Sequence, residues 1–211
     1  MNELIDIHNK IQKDILDRIT EFRSVWKEAD EKRLFQELAF CILTPQSKAK
    51  NAWEAVSSLN ESGFLFTGTH YKIADELNIV RFKNNKAKYI VNARELFSNA
   101  DGFKIRNLLN EAGNVFEKRK WLVNNVKGIG FKESSHFLRN IGFVENIAIL
   151  DRHILKNLNI YSVINEIPKS ISEKKYYEIE NKMKGFSKKI EIPIEYLDFI
   201  LWYKETKMIF K

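Results

Sequence analysis

The stretch Val126-Lys127-Gly128-Ile129-Gly130-Phe131-Lys132 decides how this chain is read, together with Asp151, 19 positions beyond that lysine. Glycine reaches backbone angles closed to other residues, so a turn built on Gly128, Ile129 and Gly130 can press its peptide N–H groups directly against a phosphate. Both flanks have helical spacing: Phe116, Trp121 and Leu122 before the turn, and Ser134, Phe137, Leu138 and Ile141 after it. Gly142 then supplies a C-cap. The plainer reading of the same residues is a compact turn between two helices.

Two side chains bear on that choice. Lys132 falls in the first turn after the glycines, where aligned peptide dipoles place positive potential and disfavour a second positive charge. Partial desolvation would loosen its proton further. A neutral lysine amine is a nucleophile and an ammonium is not. Asp151 follows the apolar run Ile147-Ala148-Ile149-Leu150 and precedes the helical run Arg152-His153-Ile154-Leu155. By position and type it is an N-cap, and a capping carboxylate can still face a groove on its other side.

The segment from Val126 to Leu155 resembles the catalytic core of the helix-hairpin-helix DNA glycosylase superfamily, in which a hairpin lysine and a later aspartate share the active site. The Asp-x-His feature of its bifunctional members stands here as Asp151-Arg152-His153. More narrowly, Lys127-Gly128-Ile129-Gly130-Phe131-Lys132-Glu133-Ser134-Ser135-His136-Phe137-Leu138-Arg139-Asn140 resembles the small 8-oxoguanine DNA glycosylase/AP lyases typical of archaea and some thermophilic bacteria. Phe40-Cys41-Ile42-Leu43-Thr44, Ala87-Lys88-Tyr89-Ile90-Val91, Glu166-Ile167-Pro168-Lys169 and the ending from Trp202-Tyr203 to Lys211 look like the same family. The resemblance thus spans nearly the whole chain.

That resemblance implies an all-α fold of two helical lobes with the helix-hairpin-helix motif at the cleft between them. Residues 1–211 would form one unit, with soft lobe boundaries: about 31–125 in the middle lobe, 1–30 plus 126–211 in the terminal one. The implied partner is double-stranded DNA containing 8-oxoguanine, bound by a monomer without metal or cofactor. Lys132 and Asp151 would be catalytic, the base being extruded because its glycosidic carbon is shielded within the duplex. The activity implied is N-glycosylase plus AP lyase through a lysine Schiff base. Lesion choice is chemically narrow, since oxidation turns N7 of guanine from acceptor into donor. The resemblance points to Lys211, whose carboxylate or backbone carbonyl is a suitable acceptor; the residues alone suggest a frayed basic tail.

Other positions carry two readings each. Trp202 can stack on an extruded base, or pack beside Phe199 and Tyr203. Gln46 lies in the loop where related glycosylases place a side chain that fills the gap left by the flipped base, although its loop sequence differs from theirs. Arg81-Phe82 can probe the opposite strand or form a solvated turn. Asp198, at helical spacing from Trp202, can support the base pocket or balance local charge. His136 and His153 lack metal-ligand spacing and read as structural or phosphate-proximal.

Composition is compatible with this reading without producing it. The 211 residues are 44% hydrophobic, enough for one substantial core or two small lobes. A net charge of +7 and a pI near 9.3 favour an anionic partner, though a basic surface can serve solubility alone. A single cysteine, Cys41, allows no intrachain disulfide and excludes a four-cysteine iron–sulfur cluster. The opening Met1-Asn2-Glu3-Leu4 is polar and amphipathic rather than a signal peptide, and no run approaches the ~20 apolar residues of a membrane span. A cytoplasmic, nucleoid-associated prokaryotic protein without membrane attachment is expected.

Almost everything has a helical period. Leu4, Ile7, Ile11, Ile15, Ile19 and Phe22 mark a first helix, and Leu34, Phe35, Leu38, Ala39, Ile42 and Leu43 a more buried second. Thr44-Pro45-Gln46-Ser47 interrupts, with Ser47 able to cap a helix carrying Ala52, Trp53, Val56 and Leu59. A loop from Gly63 to His70, a short helix Tyr71–Leu77, a turn Asn78–Asn85, a strong helix Ala87–Phe97 and a weaker region Asp101–Gly113 lead into the hairpin. Beyond Asp151, helices are expected from about Glu173 to Lys184 and from Ile194 to Lys204. Only Phe64–Phe66 and Ile147–Leu150 have extended character. Two further function classes fit the residues: a glycosylase for another damaged base, and a noncatalytic DNA-binding module in which Lys132 is a phosphate contact and Asp151 only a cap.

Overall fold

The computed structural model describes residues 2–211; Met1, with which the opening stretch begins, lies outside them. The chain is helical nearly throughout: α1 (Asn2–Glu28), α2 (Glu31–Leu43), α3 (Ala49–Glu61), α4 (Phe64–Thr67), α5 (His70–Glu76), α6 (Lys83–Phe97), α7 (Ile105–Glu111), α8 (Val115–Asn125), α9 (Phe131–Asn140), α10 (Arg152–Ile160), α11 (Glu173–Lys189) and α12 (Ile194–Thr206). The expected all-α class is what the structure shows. Its one sheet among the described residues is a scrap, β1 (Ser98–Asn99) antiparallel to β2 (Gly102–Phe103).

Three expectations need correction. Phe64–Phe66 is not extended: Gly63, at φ 74°, turns the chain into α4. Lys48, not Ser47, is the N-cap residue of α3, and it makes no side-chain cap bond. Ser47 Oγ instead accepts from the Arg81 amide at 3.0 Å. Finally, α6 begins at Lys83, inside the expected turn, and α11 runs on through Gly185 to Lys189.

Apolar spacing produces two hydrophobic clusters. One gathers α2 to α9, with Leu34, Phe35, Phe40, Phe97 and Phe137 among its fully buried side chains. The other joins one face of α1 (Leu4, Ile11, Ile15, Ile19, Phe22) to α10, α11 and α12. Helix α9 lies between them: Phe137 and Leu138 enter the first cluster while Phe131 packs against the second.

A buried ion pair ties the two together at α9. Arg119 on α8 donates from Nη1 and Nη2 to the two carboxylate oxygens of Glu180 on α11, at 2.7 and 2.9 Å. Arg119 Nη1 also donates to Ser135 on α9 at 3.1 Å, and Glu180 Oε1 accepts the Ala148 amide at 2.8 Å. Tyr176 donates its hydroxyl to the Ala148 carbonyl at 2.6 Å, and burial raises its pKa so that the proton stays. The 147–150 segment therefore finds its backbone partners in side chains rather than in a ladder.

Removing one member of a buried pair strands the other charge without water, at about 3–5 kcal/mol. Glu180→Gln and Arg119→Met are each expected to lower stability by that order in chemical denaturation. A loss below about 1 kcal/mol, the value of an exposed pair, would show the pair to be solvated in solution.

Candidate functional site

The hairpin joins α8 to α9 through residues 126–130. Gly128 takes φ 89°, and a β-carbon there would lie 2.2 Å from Cδ2 of Tyr89 on α6. The turn is thus pressed onto α6 by the missing side chain. Gly130 behaves differently from expectation. Its φ of −112° is open to any residue, and a β-carbon would meet only Glu133 Oε2, at 3.6 Å. Its amide donates to that same oxygen at 3.2 Å.

Lys132 sits in the first turn of α9, a quarter exposed, with Nζ 3.6 Å from Glu133 Oε1. Asp151 is the N-cap of α10: Oδ1 accepts the amides of His153 and Ile154 at 2.8 and 2.9 Å. Both bonds go to one oxygen, so Oδ2 has no hydrogen bond among the described residues. One carboxylate therefore caps a helix and still presents a free oxygen.

Helix α9 links the remaining candidates. His136, one turn after Lys132, is buried edge-on against Phe40, ring centroids 5.3 Å apart, and neither ring nitrogen has a hydrogen-bond partner among the described residues. Burial drives its pKa well below the usual histidine value, the charges of Arg139 and Lys132 add to the effect, and the nearby Lys211 backbone opposes it. Lys132 and Lys211 thus act on one imidazole. Asp198, on α12, accepts from Arg139 Nη1 at 2.7 Å and from the Phe199 amide at 2.9 Å. Burial raises the Asp198 pKa against the pull of Arg139, with Asp151 among the charges it feels.

Lys211 is no frayed end. Its ammonium bonds Glu37 and lies 3.5 Å from the ring centroid of Trp53. Glu37 is fully buried on α2, where Arg33 pairs with it at 2.6 Å and Asn140 donates to it at 3.1 Å. Glu37 is not singled out in the sequence, where Trp53 stands only among the apolar positions of its helix. The signal available was a carboxylate set within the apolar run Leu34-Phe35-Gln36-Glu37-Leu38-Ala39, since an isolated buried charge is too costly to leave unpaired.

Trp202 stands apart from the other three tryptophans. It joins neither hydrophobic cluster, is half-buried, and meets the ring of His153 edge-on at 4.9 Å. Phe82 is likewise the one exposed phenylalanine, 55% accessible, with the Arg81 guanidinium 5.6 Å from its ring. Phe82 and Gly128 share the lining of a cavity of about 150 Å³. Gln46, exposed in the neighbouring loop, has φ 55°.

Gly128→Ala is expected to cost about 1–3 kcal/mol through its left-handed backbone and the Tyr89 clash. Gly130→Ala should leave the melting temperature unchanged, so equal effects in thermal melts would contradict this geometry. Acid titration tests His136. The unfolded chain takes up a proton below about pH 6.5 that the folded chain refuses. Stability should therefore fall as pH drops below that value, by up to about 1.4 kcal/mol per pH unit, and His136→Phe should flatten that slope.

Comparison with known proteins places this arrangement. A family model described as 8-oxoguanine DNA glycosylase matches residues 15–192. A protein of Fusobacterium nucleatum named 8-oxoguanine DNA glycosylase/AP lyase is 46% identical over 210 residues, covering 100% of this chain and 97% of its own. The crystal structure of the Thermotoga maritima 8-oxoguanine DNA glycosylase aligns with a TM-score of 0.88 at 32% identity, over 100% of this chain and 97% of that one. The Methanocaldococcus jannaschii 8-oxoguanine glycosylase/lyase, crystallised with a 15mer DNA containing 8-oxoguanine, aligns at 0.89 with 34% identity, over 100% and 98%. Matched along most of its length by the family model and from end to end by these relatives, the chain belongs to the 8-oxoguanine DNA glycosylase family.

Proposed function

We propose that this protein excises 8-oxoguanine from double-stranded DNA and then nicks the strand at the abasic site. The reading is supported by Lys132 in the first turn after the hairpin and by Asp151, whose Oδ2 is left free by its cap, in a chain similar throughout to the DNA-bound Methanocaldococcus jannaschii enzyme.

In this mechanism the neutral Lys132 amine attacks C1′ of the extruded nucleotide. The new N–C1′ bond forms as the bond from C1′ to the base breaks, and the base leaves with that electron pair and takes up a proton. Asp151 stabilises the positive charge developing on the sugar and receives the proton lost by the amine. Ring opening gives a Schiff base. Loss of a C2′ proton then expels the 3′ phosphate by β-elimination, and water releases the lysine.

The hairpin amides of Gly128 and Ile129 hold the backbone phosphate, helped by the turn's fit against α6. Gly130 contributes a position without a β-carbon at the DNA-facing side. Trp202 offers its ring face to the extruded base. Lys211, its ammonium anchored by Glu37 and Trp53, turns a main-chain acceptor toward N7 of the lesion, where guanine would present a second acceptor. Asp198 supports this pocket by holding Arg139 on α9. Gln46, Arg81 and Phe82 meet the duplex, and a substrate of this kind suits work on the nucleoid in the cytoplasm.

Borohydride reduction of wild type on duplex DNA bearing one 8-oxoguanine should trap a covalent complex, absent in Lys132→Gln, while both bind the DNA. Trapping retained in the variant would sink the lysine assignment. Trapping with an abasic site but not with 8-oxoguanine would keep the lyase and overturn the substrate. Gly130→Ala should weaken binding without altering the melt.

A further inference from the structure

Lys86 is a lysine with almost no surface: 3% of it is accessible, on the first turns of α6. Its ammonium donates to the Leu43 carbonyl at 2.7 Å, the Pro45 carbonyl at 2.7 Å and Ser47 Oγ at 3.0 Å. All three donors are thereby used. The first two acceptors are carbonyls at and just beyond the end of α2, where the helix dipole places negative potential. Burial, with the charge of Arg81 adding, pushes its pKa down to about 8, so the ammonium still carries its proton at neutral pH.

What surrounds Lys86 is unusual. Thr44 to Ser47 form a turn closed by the Ser47 amide on the Thr44 carbonyl at 2.9 Å, with Gln46 at its third position in left-handed φ. That position favours glycine or asparagine, and any other side chain there is strained. Opposite it, Phe82 is also left-handed, at φ 60° and ψ 36°, as the N-cap of α6 without a side-chain cap bond. Ser47 bridges the two loops, since the hydroxyl that receives Lys86 also accepts the Arg81 amide. Strained backbone persists only where its surroundings over-determine it, and here the clamp is Lys86 with Ser47. Each loop ends in an exposed tip, one bearing Gln46 and the other Phe82, and Pro45 and Phe82 from the two loops line one cavity with Lys86 and Gly128.

We propose that Lys86, acting through Ser47, is the positioning residue that locks the Gln46 and Phe82 tips into one two-pronged wedge for opening the duplex. This rests on the DNA reading above and deepens it. Lys86 touches neither base nor sugar; it acts on base extrusion and leaves bond cleavage to Lys132 and Asp151. An apolar replacement leaves three acceptors without their donor and frees each loop to relax from its left-handed residue. The wedge then loses its spacing while the nucleophile keeps its place.

The test compares full-length wild type, Lys86→Met and Ser47→Ala in single-turnover assays on two DNAs. One is a duplex with 8-oxoguanine paired to cytosine and 2-aminopurine beside it; the other is a single strand with a preformed abasic site, which needs no extrusion. Duplex excision and the 2-aminopurine rise should fall by at least about tenfold in Lys86→Met, because small misplacements of positioning groups cost this much. Nicking of the single strand should stay within about twofold, and adding Lys86→Met to a Gln46→Ala/Phe82→Ala background should cost nothing more, as expected of groups acting as one unit. Equal losses on both DNAs, no loss on the duplex, or an additive loss in the combined variant would each overturn the assignment. Should Lys86→Met fail to fold, Ser47→Ala decides by the same comparison, since it cuts the bridge and spares the buried charge. Wild type inactive on both DNAs would overturn the proposed function itself, a result distinct from any of these.

Discussion

Everything near the site hangs on the buried pair Arg119–Glu180. Arg119 and Glu180 stand on α8 and α11, and their two further partners, Ser135 and Ala148, on α9 and the 147–150 segment, so one guanidinium and one carboxylate link elements distant in sequence. The segment it holds has no ladder of its own and ends in Asp151. Without Glu180 taking the Ala148 amide and Tyr176 bonding its carbonyl, nothing regular would place the cap of α10. Because each desolvated charge depends on the other for its partner, the pair gives the Asp151 backbone a defined place, although Arg119 Nε has no hydrogen bond among the described residues.

Helix α9 is the second constraint. It is ten residues long, and from Ser134 to Asn140 every residue is buried, including His136, Arg139 and Asn140. Three of its polar side chains tie the helix to other elements, while Ser134 and His136 have no hydrogen-bond partner among the described residues. Arg139 bonds Asp198 on α12, Asn140 bonds Glu37 on α2, and Ser135 bonds Arg119 on α8. Lys132 projects from the one part of α9 that is not buried. The nucleophile proposed for this site thus stands on a helix locked on three sides, and such preorganisation is what placing an amine against a sugar carbon requires. Glu37 extends the same economy to the chain end, since it holds Asn140 and the Lys211 ammonium at once.

Helical period carried most of the fold into view, because an amphipathic face repeats every turn and needs no knowledge of its neighbours. The elements that escaped it were short or irregular. Phe64-Leu65-Phe66 has no period to show, and whether it winds or extends depends on Gly63 and on what it packs against. β1 and β2 are two residues each. Ser47 had the chemistry of a cap, yet it serves Arg81 and Lys86, residues brought to it from more than thirty positions away. Competition between a local cap and a tertiary partner leaves no trace in spacing.

The sequence by itself determined the helical class, the hairpin with its lysine, and Asp151 at the start of a helix, because glycine geometry, amphipathic period and capping are local properties. It also carried, through resemblance, the family and the residues proposed for the chemistry. Only tertiary structure decided that Gly128 is needed against Tyr89 while Gly130 is conformationally unconstrained, and that Trp202 stands outside both hydrophobic clusters. It alone gave the terminal lysine a buried partner and Lys86 three acceptors. Those facts depend on which charged groups meet once water is excluded, and burial, unlike period, is a property of the assembled helices.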